Sequence, residues 1–569
     1  MVLLAIFISS PAVAGLRNVC PGYKIESPFP VIFSKNEKTL ICGDKDVDSW
    51  KEIPRSQAEF FTRNFLQERG YFSPEFSETD GSILINAGKK SIVNEIIVTG
   101  DEPPFFHIGR RRKTVGAVLT PSLLSQIENW SRTVFRAHGY PCPNISATAD
   151  AISGIVTLNI DAGPFQNIAS VSEEKVEGLD ERIFRRYDAF KLNEPYNADL
   201  LTLTSNRTES DGLVQNTHFV TECTSDGVGL TQKISSGRPR LFKIGFGAST
   251  EEYAIVKASW QNVRLGEFGS SITLSLYGSY RRQEFDAGSK WYFNTSRWFF
   301  NPLLSVKHLN ERQYELFSTN ANLTPAVSLE SSKARWDIFF GPAFNYTNTL
   351  SGVNKGQTRF LYGIAGINIV SHDYELYIGE PQRGYDMSFS ASFNHKDILS
   401  DATFQQLQFN GENYWNIGGL SPPLFVIGAR YSAATTLTSK SDASFTKVPP
   451  SYLYFLGGSD DLRGFKLNEL PLSGGTALTM VTGSLEGRFS KIMPLDIQPM
   501  IFADVGALSN SNLRLSFPLY WSPGFGLRWP SPIGVIRTTL SHGFLVGNSD
   551  PNKEGQSHWQ FYFSLGEEF

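Results

Sequence analysis

The sequence predicts α+β repeats followed by an all-β transmembrane barrel of about 16 antiparallel strands. Three observations carry that expectation. A glycine helix stop recurs at Gly70, Gly139 and Gly212, a spacing of roughly 70 residues that marks a repeated unit. From about Leu241 the chain breaks into segments with a two-residue hydrophobic period. Charged residues make up only 19% of the 569 and aromatics 13%, yet beyond the N-terminus no apolar run of about 18 residues occurs. A helical span needs such a run, whereas a barrel strand shows lipid only alternate residues.

The length alone asks for more than one domain. A net charge of −4 and a pI near 6.1 argue against nucleic acid as a partner. Residues 1–14 are apolar and end in Ala12-Val13-Ala14 before Gly15, which reads as the tail of a secretory signal peptide with a small-residue cleavage site. The basic region that normally leads such a signal is missing, which points to a start upstream of Met1. Export suits the four cysteines, none of which forms a CxxC pair. In an oxidising compartment Cys20 and Cys42 make a candidate local bridge. A Cys142–Cys223 pair rests on elimination alone and stays open.

In the N-terminal part, Ser56-Gln57-Ala58-Glu59 reads as a capping box that opens a helix. Ala58, Phe61 and Phe65 then share a face, and Gly70 stops the helix before Tyr71. Thr120-Pro121 opens a second helix, with Leu123, Ile127, Trp130 and Val134 apolar, and Gly139-Tyr140 closes it. Asn197 caps a third, carrying Leu200, Leu201 and Leu203 and stopping at Asp211-Gly212. Strand-like runs such as Ile92 to Val98 and Ile155 to Ile160 lie between. The repeats are therefore placed at residues 20–90, 91–163 and 164–235.

The barrel is placed at residues 240–569. Trp336, Ile338, Phe340, Phe344 and Tyr346 share one parity against Arg335, Asp337 and Asn345. Tyr385, Met387, Phe389 and Phe393 alternate with Asp386, Ser388, Ser392 and Asn394. In the last segment Trp559, Phe561, Phe563 and Leu565 share a parity and the chain ends on Phe569. Glu567 interrupts that terminal pattern. Parity also sorts polar residues. Leu485 and Phe489 face lipid, so Glu486 and Arg488 face inward; Ile501, Ala503 and Val505 face lipid, so Phe502 and Asp504 face inward. A charge on the lipid face costs roughly 2–4 kcal/mol at mid-membrane, so inward carboxylates are the cheaper arrangement.

The run Gly457-Gly458-Ser459-Asp460-Asp461 leads into Leu462-Arg463-Gly464-Phe465. With Glu486, Arg488 and the run Phe502-Ala503-Asp504-Val505-Gly506, it resembles the signature of the BamA/TamA outer-membrane assembly-factor family. Gly524 to Arg528 and Pro532 to Arg537 resemble that family's penultimate strands, and the repeats resemble its polypeptide-transport-associated (POTRA) domains. The resemblance implies an Arg-Gly-Phe loop tip that folds into the barrel, Arg463 meeting Glu486 and Asp504 through charge-assisted bonds. It also implies a lateral seam between first and last strands, involving Gly245, Gly247, Phe563, Gly566 and Phe569, where missing glycine side chains weaken cross-strand packing.

Three repeats fit the TamA branch better than the longer, usually five-repeat BamA branch. That implies an outer-membrane chain with repeats in the periplasm, unfolded outer-membrane proteins such as autotransporters as clients, contact with outer-membrane lipid, and a TamB-like inner-membrane-anchored partner. A two-partner-secretion transporter, a passive porin and a surface antigen are the competing readings. No HExxH, GxSxG or Walker A run occurs and the eight His are scattered. The reading is accordingly of a non-enzyme without cofactor, catalytic residues or metal.

Overall fold

A computed structural model describes residues 15–44, 53–79, 81–438, 443–471, 476–515, 519–546 and 559–566. The expected signal at 1–14 and the chain end at Glu567 and Phe569 lie outside the described residues. The chain forms two compact units, Met1–Gln166 and Asn167–Phe569.

The first unit holds two α+β modules. In the first, strands Gly15–Cys20, Tyr23–Ser27, Ser82–Asn86 and Glu75–Thr79 lie side by side in that order. Helices Lys35–Cys42 and Arg55–Gln67 bring Ile41, Ala58 and Leu66 into one core with Ile25 and Ile85. Cys20 and Cys42 are bonded, tying the edge strand to the first helix, and no described cysteine is free. In the second module, Glu95–Gly100, Ile155–Asp161 and Asn144–Asp150 form the sheet, and helix Pro121–Arg136 buries Leu123, Ile127 and Phe135. The second unit opens on a third module, with strands Ile168–Glu173, Gly227–Ser235 and Asn216–Thr224 and helix Ala198–Ser210. All three share one plan, a parallel strand pair joined to an antiparallel hairpin.

The glycine stops follow from backbone chemistry. Gly70, Gly139 and Gly212 have φ of 88°, 94° and 73°, a region in which a side chain is strained. Beyond the first two, Tyr71 N–H donates to Leu66 O at 2.9 Å and Tyr140 N–H to Phe135 O at 3.2 Å. Thr120 and Asn197 cap their helices as expected, accepting from Leu123 N–H and Asp199 N–H. The capping box at Ser56 does not form. Pro54 is the N-cap, which places Ser56 two positions inside the cap and too deep to serve as one, and Glu59 pairs with Arg55 instead at 2.7 Å. The capping box of this module is Ser34 with Glu37, on the preceding helix.

From Arg240 the chain closes into an antiparallel barrel of 16 strands. The first strand is Arg240–Ser249 and the closing strand Trp559–Leu565. The penultimate strand is interrupted at Gly543, its pieces Gly534–His542 and Phe544–Val546 both pairing with Leu519–Ser531. Outward residues are exposed and apolar, among them Phe242, Ile244, Phe246, Trp336, Phe340, Phe389, Leu485, Ile501, Phe525 and Phe561. Many inward residues are polar and bond one another: Asn345 donates to Ser318 Oγ at 3.1 Å and Tyr362 hydroxyl to Asn320 at 3.0 Å. Strands alternate in direction, so the third module and the turns after even-numbered strands share one end. The connection between Phe425–Leu437 and Thr479–Phe489 lies at the other.

Candidate functional site

That long connection folds back into the barrel. Backbone bridges Tyr454–Ala477 and Leu456–Leu470 close it into a narrow loop. Gly457 and Gly458 turn it at φ of 111° and 123°; a Cβ on Gly457 would lie 2.3 Å from Lys466 O. Leu456, Leu462, Phe465 and Leu470 then pack with Ala434, Leu508 and Tyr520 of the wall. Gly506 makes room for this, since a Cβ there would meet Leu462 Cδ1 at 2.9 Å.

The tip places Arg463 where its side chain is only 1% exposed. Its Nε and Nη2 reach Asp504 Oδ2 and Oδ1 at 3.0 and 2.7 Å, a bidentate pair, and its own backbone N–H adds a bond to Oδ2 at 3.1 Å. Nη1 donates to Glu486 Oε2 at 2.8 Å and Nη2 to Ser484 Oγ at 3.0 Å; Ser484 in turn donates to Asp504 Oδ1 at 2.8 Å. The guanidinium carbon lies 3.3 Å from the centre of the Phe502 ring. Gly524 lets that ring lie flat against the wall, because a Cβ there would sit 2.4 Å from Phe502 Cζ. Arg488 does not touch Arg463; it pairs with Glu486 Oε1 at 3.3 Å and stacks on Tyr414 at 4.8 Å. Arg463 and Arg488 thus bond the carboxylates of Asp504 and Glu486, which is how charge is held in a desolvated site. The geometry is that of a fixed latch.

Parity located Glu486, Phe502 and Asp504. It gave no sign of Ser484, nor of the contacts that carry the loop to the seam. Ser541 Oγ donates to Arg463 O and Tyr562 hydroxyl to Phe465 O, so the tip is bonded to the penultimate and closing strands. Gly464 packs backbone to backbone on Gly543, where a Cβ on Gly464 would lie 2.5 Å from Gly543 N. On the other side, Ser459 N–H donates at 3.2 Å to Glu251, in the turn after the first strand. One loop therefore holds both flanks of the seam.

The seam itself is thin. The first strand pairs with the closing strand only at Ala248–Leu565 and Ser249–Ser564 among the described residues, with Thr250 N–H adding a bond to Phe563 O at 3.0 Å. The closing strand meets its other neighbour over seven pairs, Ile536–Leu565 to His542–Trp559. Gly566, at φ of 74°, turns its N–H to Val535 O at 3.0 Å, toward the penultimate strand. Phe569 lies outside the described residues. The weakening assigned to Gly247 needs correction: a Cβ there would meet Leu565 O at 2.8 Å, so its missing side chain permits the contact that closes the seam.

Gly464→Ala is expected to push the tip off Gly543 while leaving the wall intact, because backbone on both sides cannot give way. Protease cleavage between 457 and 470 in the folded barrel should rise clearly above wild type; unchanged protection would show the approach to be dispensable.

Solved structures similar to the chain include BamA from Haemophilus ducreyi lacking POTRA domains 1–3, at 16% identity over 83% of this chain and 99% of that one, with a TM-score of 0.49. CdiB from Acinetobacter baumannii (12% identity, 84% and 89% covered, TM-score 0.47) and CdiB from Escherichia coli (12%, 94% and 99%, TM-score 0.46) are similar as well. The model of the Omp85 superfamily domain matches residues 377–569. The loop, its inner-wall partners and the closing strand all fall within the stretch that matches the Omp85 superfamily domain.

Proposed function

We propose that the chain is an outer-membrane assembly factor of the TamA type. It receives unfolded clients, autotransporters and other barrels, on periplasmic POTRA-like modules and passes them to the membrane through the seam between first and closing strands. The observation that carries this reading is the seam, which holds two residue pairs among the described residues. Elsewhere in the barrel neighbouring strands share long ladders, whereas here residues 240–247 and 559–562 have no partner across the seam among the described residues. Unpaired strand edges accept another chain through backbone hydrogen bonds, independent of its side chains. A passive porin has no use for such an edge or for a loop latched to both its flanks. The TamA branch is supported by the three modules, and a TamB-like inner-membrane-anchored protein is the partner it would work with.

The test is reconstitution. The chain in proteoliposomes should convert an added unfolded autotransporter barrel into a heat-modifiable, membrane-embedded form. Removing residues 164–235 should abolish this more fully than removing 20–90, because that module delivers clients to the barrel mouth. A harmless deletion of 164–235 together with loss of activity on deleting 20–90 would sink the delivery model. Client recovered free inside the vesicles, instead of embedded, would support two-partner secretion.

A further inference from the structure

The lumen is entered from both ends. The Arg463 loop comes from one. From the end carrying the third module comes the turn between the eighth strand, Gly356–Ser371, and the ninth, Gly384–Asn394. Residues 372–383 of this turn do not make a tight hairpin. They hold a short helix, His372–Leu376, capped by Ser371, whose Oγ accepts from Tyr374 N–H at 3.3 Å. Side chains from this segment reach strands far apart around the wall. Tyr374 hydroxyl donates to Glu412 on the tenth strand, and Glu380 accepts from Gln498 Nε2 at 2.5 Å at the start of the thirteenth. Ile378 and Pro381 line a cavity of about 370 Å³ whose other walls include Glu486 and Arg488. The segment and the partners of Arg463 therefore face each other across one space.

The anchor of this crossing is on the third module. Arg207, near the end of helix Ala198–Ser210, is 5% exposed. Its Nε and Nη2 hold both oxygens of Glu375 at 3.0 and 2.7 Å, and its Nη1 holds Glu330, at the end of the sixth strand, at 2.9 Å. Arg335 adds a bond to Glu375 at 2.8 Å and Arg297 one to Glu330 at 3.2 Å. His372 Nε2 lies 2.5 Å from Glu330 Oε1. A buried cation shared by two carboxylates is either in place or absent. Arg207 ties Glu375 to the third module, and withdrawing it takes one cation from two buried carboxylates that keep Arg335, Arg297 and His372.

We propose that residues 372–383 are a strap closing the periplasmic mouth of the lumen, and that Arg207 is the latch through which the third module holds it shut. Displacing that module withdraws Arg207 from Glu375 and frees the strap. The inference needs the barrel and its orientation, and does not depend on what the clients are.

The test uses the full chain in proteoliposomes with the modules outward, carrying Arg537→Cys as a reporter, since Arg537 lines the cavity and no described native cysteine is free. A membrane-impermeant maleimide should label the reporter slowly. Replacing 373–383 by a short Gly-Ser turn should make labelling fast. Arg207→Ala should raise the rate roughly fivefold or more, the low end of what one coupling contact transmits between sites, and should add nothing once the strap is shortened. If Arg207→Ala fails to insert, Glu375→Gln keeps the shape and reads the same latch. Wild-type labelling in the shortened strap, or an equal effect of Arg207→Ala with and without the strap, would overturn the proposal. Client insertion followed in the same vesicles separates the two readings: fast labelling with no insertion keeps the strap and removes the assembly function.

Discussion

Arg463→Ala is expected to leave a barrel that still inserts and migrates as a heat-modifiable species, with the loop released and client assembly near background. The wall survives because its ladders do not pass through the loop. The loop does not survive because Arg463 supplies four side-chain hydrogen bonds, two of them to an Asp504 carboxylate with 0% exposure. Removing one partner of a buried pair costs about 3–5 kcal/mol, most of it from the charges left behind. What remains at the tip is the packing of Leu462 and Phe465 and the backbone bonds to Ser541, Tyr562 and Asp504, none of which neutralises the stranded carboxylates. Arg463→Lys should rescue poorly, since a point charge can neither bridge Asp504 bidentately nor stack flat on Phe502. Loop protection from protease and client insertion, measured together, check the prediction. Normal insertion with a protected loop would remove Arg463 from the mechanism.

The sequence made this site partly legible because the barrel wall obeys a strict two-residue period. Once Leu485 and Ile501 are outward, Glu486 and Asp504 must be inward, and an arginine in a glycine-bounded loop is the natural counter-charge. The same logic could not find Ser541, Tyr562 or Glu251. Parity says which way a wall residue points, but not which residue of a long loop will meet it. Gly543 shows the limit well. Parity assigns it no role, and it lies where the ladder breaks and Gly464 approaches. The misplaced cap at Ser56 has a different cause. The capping pattern was present, but Pro54 moved the helix start by enough to turn the box into an ordinary Arg55–Glu59 pair. Arg207 and residues 372–383 left no trace in the sequence, because a single helical arginine reads as solvated and a turn between strands reads as connection. Both gain meaning only when the third module is set against the barrel mouth.

Closing the seam covalently should block client assembly. Ser249 and Ser564 are direct cross-strand partners. Opposed antiparallel residues have Cα atoms about 4.5–5.5 Å apart, within the range a disulfide spans. Ser249→Cys with Ser564→Cys should therefore bridge without moving either strand. Neither position belongs to the latch, so the barrel and loop should be as protected as in wild type. Oxidised, the first strand cannot leave the closing strand, so no client strand can enter between them. Assembly should fall to background and return on reduction. The parent chain under the same reductant controls for loss of the Cys20–Cys42 bridge. The effect should be large because opening is all or none: a covalent bond across a ladder with two pairs among the described residues exceeds any hydrogen-bond energy the client could contribute. Unchanged assembly with the bridge fully formed would rule out the lateral route and leave the lumen, with its strap and its latched loop, as the path a client must take.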